Sequence, residues 1–303
     1  MDFKKNIILP SWDIISQDSK IKKLYFLPWV LSIIFLTMML VYQSVYTYVV
    51  VANKKSAAFQ LILDFFEKDY FIEVVIIAII FLLLYVFLTP IFEWWLIKYI
   101  DKRNVVWKKE NISSSDVLWV GLFKFLPVFE FDQMFSKFRF LSILNFYLFT
   151  IRLVWVEYIK AITYFYIVVL LFSMIVNIFF SYSKFEIVLW NKKVFSSLGS
   201  SATITILNLK TTVKLYFLIF VLNFRVIFNF LILLLFPFLI AFAIGYISSQ
   251  IFLVITIVLL AILFIGLIAV ISYLSAVLEV FTTSLWYFAW KHWKEKLKEI
   301  DEN

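Results

Sequence analysis

The sequence predicts an all-α fold, a polytopic bundle of transmembrane helices with amphipathic surface helices. Of its 303 residues, 64% are hydrophobic, and the mean hydropathy is +0.98. Soluble domains are typically about 45–50% apolar, so much of this chain needs lipid as its solvent. In addition, uncharged runs recur at lengths that suit a membrane span, which takes about 20 residues. The longest such run, 226–278, holds two spans that turn near Gly245.

The charge and the cysteine count exclude several other classes of protein. The net charge is +8, but no basic run is long enough for a nucleic-acid-binding arm. Lysine and arginine accumulate in the cytoplasmic loops of membrane proteins, where they meet anionic headgroups, so we expect membrane lipids and no nucleic acid as partners. There is no cysteine and only one histidine, His292. Disulfides, cysteine-based metal sites and histidine-based zinc sites are therefore excluded.

The apolar runs define the predicted spans. The first begins near Tyr25 and stays uncharged to Asn53, too long for a signal-peptide core of roughly 7–15 residues, so we interpret it as a retained span. The predicted spans are about 26–51, 74–92, 138–156, 160–183, 213–245 and 250–280.

Between the spans, charged residues interrupt apolar stretches too often for a membrane crossing. Their apolar side chains recur at helical spacing with serine, threonine or charged residues opposite, which is typical of helices lying on a membrane surface. The predicted surface helices are about 11–22, 56–67, 116–135 and 194–210. All elements belong to a single integral membrane domain, 1–303.

The segment 138–156 is ambiguous, because its apolar part is short and charges follow it closely at Arg152 and Glu157. It is either a short span or a surface helix, which gives six or five spans. The basic segments are the N-terminus, 93–137 and 184–214, and positive-rich flanks face the cytoplasm. Only six spans place all three on one side, so we favour six, in the cell membrane, with both termini cytoplasmic.

No catalytic motif is present. The four glycines, Gly121, Gly199, Gly245 and Gly266, are far apart, so neither a phosphate-binding loop nor a dinucleotide fingerprint is possible. There is no serine nucleophile elbow, and no acid, base and metal ligands converge. We therefore expect no enzyme activity, no cofactor and no metal.

Two charged residues adjoin the apolar runs and are candidate functional residues. A charge at the centre of a transmembrane helix costs roughly 2.5–3.5 kcal/mol, so Arg225 and Glu279 are functional candidates, each the possible partner of the other. Alternatively, both lie near the cytoplasmic surface and their side chains extend into water. Asn223 and Asn229 flank Arg225 and either satisfy it or join helices.

Tryptophan is unusually common relative to glycine, with eleven residues against four. Trp94 and Trp95 follow Pro90, and Trp190 precedes a turn, positions where a small residue is expected. Two hypotheses account for this: an aromatic belt at the membrane surface, or UGA codons that the native organism reads as glycine. The nucleotide sequence of the gene distinguishes them.

Three motifs carry a resemblance: Tyr182 to Leu189 (YSKFEIVL), Val194 to Ser201 (VFSSLGSS) and Leu278 to Tyr287 (LEVFTTSLWY). Over roughly 138–293 the chain resembles the uncharacterised bacterial six-span proteins related to the membrane domain of glycerophosphoryl diester phosphodiesterases. The resemblance implies a strand-like segment at 182–189, a turn, a surface helix and then a span. The chain lacks the usual Trp-Arg after the serine and the Pro-Gly between the middle spans.

The resemblance implies no catalytic residue, because phosphodiesterase activity belongs to a separate barrel domain of about 200 residues or more, and no such soluble stretch is present. We expect a non-catalytic membrane protein that acts through lipid or protein contacts, including contacts with a second copy. The Phe-rich segment 117–135 and the segment 194–210 are candidates for lipid contact. The alternative is a small transporter with a polar path near Arg225 and Glu279, for which the spans offer few other polar residues.

Overall fold

The computed structural model describes residues 2–51, 55–105, 114–153, 156–247 and 249–301. This part of the chain is almost entirely helical and contains no β-strand, which confirms the all-α class. The first six α-helices are α1 (Leu9–Gln17), α2 (Ser19–Leu24), α3 (Phe26–Val51), α4 (Lys55–Phe66), α5 (Phe71–Val105) and α6 (Ser114–Lys124). The next seven are α7 (Leu126–Phe135), α8 (Phe140–Leu153), α9 (Ile159–Phe179), α10 (Ser183–Trp190), α11 (Val194–Leu207), α12 (Leu209–Tyr246) and α13 (Gln250–Asp301).

Several helices are long and apolar enough to cross a membrane. Within the described residues there are four: Ser19–Met39, Phe71–Asn104, Ile159–Trp190 and Gln250–Leu297. A fifth is added if Val194–Leu207 and Leu209–Phe224, which meet at an angle of 98°, are counted as one broken span. The molecule therefore has the helices of a polytopic membrane protein.

Two helices extend well beyond the predicted spans. α5 passes through Pro90 and ends at Val105, although a proline inside a helix removes one backbone hydrogen bond. Burial compensates, because Trp94, Trp95 and the apolar residues after them are packed inside the protein. α13 continues as one helix of 52 residues, about 78 Å at 1.5 Å per residue, where the sequence predicts a span followed by an exit helix.

The chain divides into two compact units rather than forming one. Unit 1 comprises Met1–Asp18, Pro90–Val221 and Val280–Asn303, and unit 2 comprises Ser19–Thr89 and Leu222–Glu279. Large side chains fill the interior of unit 1, among them Trp95, Tyr182 and Tyr287.

Unit 2 has a thin interior. Its buried core joins Ile33 of α3 to Ile271 of α13, with Trp29 and Phe264 packed against them. Most of the large apolar side chains described on α5 and α13 in this unit are exposed, from Ile72 to Phe87 and from Ile251 to Val270. Exposed apolar surface on this scale is typical of a membrane or protein contact.

In unit 1, α8 and α9 form an antiparallel hairpin. Near its tip the hydroxyl oxygens of Thr150 and Tyr166 are 2.8 Å apart. At the other end the Asn177 amide donates to the Phe138 carbonyl at 2.8 Å. α8 therefore follows α9 over most of its length, although its own 14 residues measure only about 21 Å. Residues 154 and 155 of the predicted span 138–156 lie outside the described residues.

The strand-like segment implied at 182–189 is wrong, because these residues form helix α10. The helix is buried on most of its circumference, since the four consecutive residues from Phe185 to Val188 are all buried. The helix ends at Trp190. The next residue, Asn191, has a left-handed φ of 49°, and the N–H of Lys192 donates to the Glu186 carbonyl at 3.3 Å. Asparagine is one of the few residues that adopt this conformation easily, which explains the turn.

The tryptophans after Pro90 are packed as large residues. Trp95 is fully buried with its ring 5.2 Å from that of Tyr99, and Trp94 lies against Gly121 of α6. Removing a buried tryptophan side chain typically costs about 3–5 kcal/mol. A large side chain therefore occupies the interior of unit 1 at both positions, and the nucleotide sequence of the gene decides between the two hypotheses.

We expect Gly121→Leu to destabilise the protein by about 1–3 kcal/mol, the usual cost of overpacking. A Cβ at residue 121 comes within 3.1 Å of the Trp94 ring. Gly199→Leu is the matched control, since nothing lies within 4 Å of a Cβ there. Thermal unfolding in detergent measures both variants, and equal melting temperatures would contradict the proposed contact between α5 and α6.

Candidate functional site

Four charged residues of unit 1 form the Asp132 cluster: Glu93, Asp132, Arg139 and Lys184. Glu93 lies on α5, Asp132 on α7 and Lys184 on α10, and Arg139 immediately precedes α8. Lys184 pairs with Glu93 and, at 2.8 Å, with Oδ1 of Asp132. Arg139 donates to the same oxygen at 2.7 Å. Two cationic side chains and two carboxyl groups therefore meet in one place.

Asp132 is the residue on which this cluster converges. It is 7% exposed, and burial alone disfavours its charged form. The cations Lys184 and Arg139 outweigh that effect and hold the pKa of Asp132 below its usual range. Oδ1 is bound by both cations, whereas Oδ2 is buried and accepts no hydrogen bond. Asp132 is thus a carboxylate with one oxygen satisfied and one unsatisfied.

A cavity of about 200 Å³ adjoins Asp132. Its aromatic wall consists of the rings of Phe131, Phe135, Phe180 and Trp286. Its polar wall consists of Asp132, Arg139, Asn177, Ser181, Lys184 and Tyr216. Pockets for drug-sized ligands are larger, about 300–1,000 Å³. This cavity has room for a small polar group rather than a whole cofactor.

A second polar group, the Glu186 cluster, consists of three charged residues and one tryptophan: Glu186, Lys192, Lys294 and Trp290. The Glu186 side chain is fully buried. Its carboxylate lies 2.7 Å from Lys192 and 3.1 Å from Lys294, and it accepts a hydrogen bond of 2.8 Å from the Trp290 indole. Lys294 also lies 4.3 Å from the centre of the Trp190 ring. Glu186 therefore ties α10, the start of α11 and the end of α13 together.

Hydroxyl groups of α11 satisfy the end of α9. The last carbonyls of a helix lack partners inside the helix. Here Ser201 donates to the Phe179 carbonyl at 2.8 Å, and Thr205 lies 3.3 Å from the carbonyls of Ile178 and Phe179. The N–H of Tyr182 donates in turn to Ser201. Ser201 and Thr205 of α11 thus face the protein interior.

A third polar contact holds the break between α1 and α2. Asp18 has an extended backbone there, with φ −117° and ψ 100°. Its carboxylate accepts a hydrogen bond of 2.6 Å from Tyr99 and lies 4.0 Å from Arg103. The predicted surface helix 11–22 is therefore two helices, pinned to α5 at the point where they join.

The predicted site residues are not those that form these clusters. Asn223 is exposed on α12, and Glu279 is half-buried on α13. The side chains of Arg225 and Asn229 lie outside the described residues, so the predicted pair of Arg225 with Glu279 is not visible. The residues that the structure does bring together lie in or beside segments that the sequence predicts to be basic loops or surface helices.

Two sequence signals point to the clusters that were missed. Glu186 is the single acidic residue in the basic segment 184–214, and Asp132 interrupts an apolar stretch of a predicted surface helix. A lone acidic residue in a basic segment, or a charged residue within an apolar run, needs a partner of opposite charge when it is buried. Neither signal names the partner, because Glu93 and Lys294 are distant in sequence.

The chemistry of the clusters is that of charge pairing and polar binding. In the described part of the chain no three histidine, aspartate or glutamate side chains are grouped to hold a metal ion. Comparison with known proteins finds no matching family model, no similar curated protein and no similar solved structure. The site must therefore be interpreted from its own geometry.

Proposed function

We propose that this chain is a non-catalytic, multi-pass protein of the cell membrane that acts through contacts with lipid. The observation that carries the proposal is the polarity of α11. Ser201 and Thr205 are buried and donate to carbonyls of α9, while Phe195 is 76% exposed. A helix in water has the opposite arrangement. An outward apolar face is suited to the hydrocarbon boundary of a membrane.

Exposed aromatic residues on α6 support the same proposal. Trp119 is largely exposed, and Phe123, one turn further on, is 80% exposed. Both lie in the Phe-rich segment 117–135, for which the sequence predicts lipid contact. Helices that lie in the membrane surface typically insert tryptophan and phenylalanine side chains.

The α8–α9 hairpin supports six spans rather than five. Because α8 returns alongside α9, the chain enters and leaves this hairpin at the same end. If α9 crosses the membrane, the basic segments 93–137 and 184–214 then lie on one side. The positive-inside rule places that side, with both termini, in the cytoplasm.

Single cysteines in this cysteine-free chain test the topology. We expect a membrane-impermeant maleimide to label Ser56→Cys, Glu157→Cys and Ser249→Cys in intact cells. Lys102→Cys and Lys193→Cys should label only after permeabilisation. All five positions are exposed in the structure, so access to the reagent depends on the side of the membrane.

The pattern of labelling decides between the models. External labelling of Lys193→Cys would contradict the six-span topology. If Glu157→Cys alone is not labelled in intact cells, segment 138–156 does not cross the membrane. In both cases, release of the protein from membranes by alkaline carbonate would contradict the proposed function itself.

The described residues do not favour the transporter alternative. A transporter needs a polar path near the centre of the bilayer. In unit 2 the polar side chains of Ser272 and Ser275 are buried, but the cluster there is formed by apolar residues such as Ile33 and Ile271. The lipid proposal therefore accounts for more of the structure.

A further inference from the structure

The cavity beside Asp132 has the features of a built binding site. Asp132 is more than nine-tenths buried, it lines the cavity, and its Oδ2 accepts no hydrogen bond. A buried polar atom without a partner is destabilising, and more so when it is charged. A ligand or water that donates a hydrogen bond at this point would remove that cost.

The surroundings of Oδ2 favour a cationic donor. Lys184 and Arg139 keep the Asp132 carboxylate charged through its other oxygen, and the rings of Phe135, Phe180 and Trp286 line the same space. Aromatic faces attract cations, and the attraction grows where water is excluded. An ammonium group satisfies the carboxylate and suits these walls.

The rim of the cavity favours an anion close to that ammonium. Arg139 is bound to the other oxygen of Asp132, and its side chain is 50% exposed. A guanidinium carries five N–H donors in a planar fork that matches phosphate. The cavity therefore presents a carboxylate in its interior and a cation at its edge.

A line of aromatic rings connects the cavity to the apolar surface of α9. The distance between ring centroids is 5.1 Å for Phe180 and Phe135, 6.2 Å for Phe135 and Phe138, and 6.2 Å for Phe138 and Phe172. Phe172 is exposed on α9, beside other exposed apolar residues such as Ile175. A molecule with its polar head in the cavity can lay hydrocarbon chains along this surface.

We propose that this cavity binds the head of a phospholipid that carries a primary ammonium group. The ammonium donates to Oδ2 of Asp132, the phosphate meets Arg139, and the acyl chains follow the exposed face of α9. This inference rests on the proposed function, and it specifies both the lipid class and the residues that recognise it.

The test compares short-chain phospholipids that differ only in the head. Purified full-length protein in detergent is titrated with dihexanoyl phosphatidylethanolamine, phosphatidylcholine or phosphatidylglycerol, and melting temperature is followed. We expect the ethanolamine lipid to bind about tenfold more tightly, because the trimethylammonium of choline cannot donate a hydrogen bond and glycerol carries no positive charge. Equal binding of all three would overturn the proposal.

Two variants connect the binding to this cavity. Asp132→Asn should abolish the preference for ethanolamine over choline. Because removal of this charge is able to impair folding, Ser181→Leu is a second variant that fills the cavity and leaves all four charges in place. Thr203→Leu, on the exposed face of α11, is its control and should bind as the wild type does. Wild-type affinity in Ser181→Leu would overturn the proposal.

A further titration distinguishes a lipid ligand from a soluble one. Free phosphoethanolamine has the same head without acyl chains and should stabilise the protein far less than the lipid. Equal affinity for it would assign the site to a soluble zwitterion and overturn the lipid assignment. If the protein resists carbonate extraction but shows no preference among the lipids, this inference is wrong and the proposed function stands. If carbonate extracts the protein from membranes, the proposed function is wrong.

Discussion

Glu186→Gln is expected to lower the free energy of unfolding by about 3 kcal/mol, within the usual range for breaking a buried ion pair. Glutamine has nearly the same shape and can still accept the hydrogen bond from Trp290. The change therefore removes the charge while preserving the packing. Lys192 and Lys294 then lie together in a partly buried place without a counter-ion.

Glu295→Gln is the matched control for this variant. Its side chain is 63% exposed and lies 4.0 Å from Lys291, one turn away on the same helix. Exposed pairs of this kind contribute about 0.3–0.5 kcal/mol. Thermal or denaturant unfolding in micelles measures both variants, and a loss no larger for Glu186→Gln than for the control would refute a stabilising role for the Glu186 cluster.

Lys184→Met is expected to destabilise the protein by about 3–5 kcal/mol, because it leaves two buried carboxylates side by side. Lys184 is the residue that pairs with both Glu93 and Asp132. Once it is removed, Arg139 is the only partner in the cluster, and it binds one oxygen of Asp132. Methionine conserves most of the side-chain volume, so the loss reflects charge rather than packing.

A double variant separates the charge effect from other damage. Adding Glu93→Gln to Lys184→Met removes one of the two facing carboxylates and should restore about 1–2 kcal/mol, since coupled neighbours typically show interaction energies of 0.5–3 kcal/mol. Lys193→Met, at an exposed position of the same segment, should change stability by less than about 0.5 kcal/mol. Strictly additive losses in the double variant would show that Glu93 and Lys184 are not coupled.

The fold class was predictable from composition because hydropathy measures the solvent that a segment requires. The uncharged runs correspond to the long helices, and the interrupted apolar segments 116–135 and 194–210 correspond to α6, α7 and α11. Helix ends were less predictable. α5 continues beyond Pro90 because tertiary packing of Trp94 and Trp95 outweighs the cost of one backbone hydrogen bond.

The candidate site was not predictable, because it depends on contacts between distant residues. Glu93 and Lys184 are 91 positions apart, and Glu186 and Lys294 are 108 apart. Periodicity gives the face of one helix on which a charge lies but not the helix opposite. The sequence therefore directed attention to Arg225 and Glu279, which adjoin long apolar runs, rather than to charges that tertiary packing buries.

The dependence of α9 on α11 has a consequence during synthesis of the protein. Ser201 is made 22 residues after Phe179, the residue whose carbonyl it satisfies. At about 5–20 residues per second, the ribosome needs roughly one to four seconds to add that stretch. During this interval the Phe179 carbonyl lacks its partner from α11 and depends on water. The end of α9 must therefore stay at the aqueous boundary while the nascent chain inserts, and arrival of α11 releases that constraint.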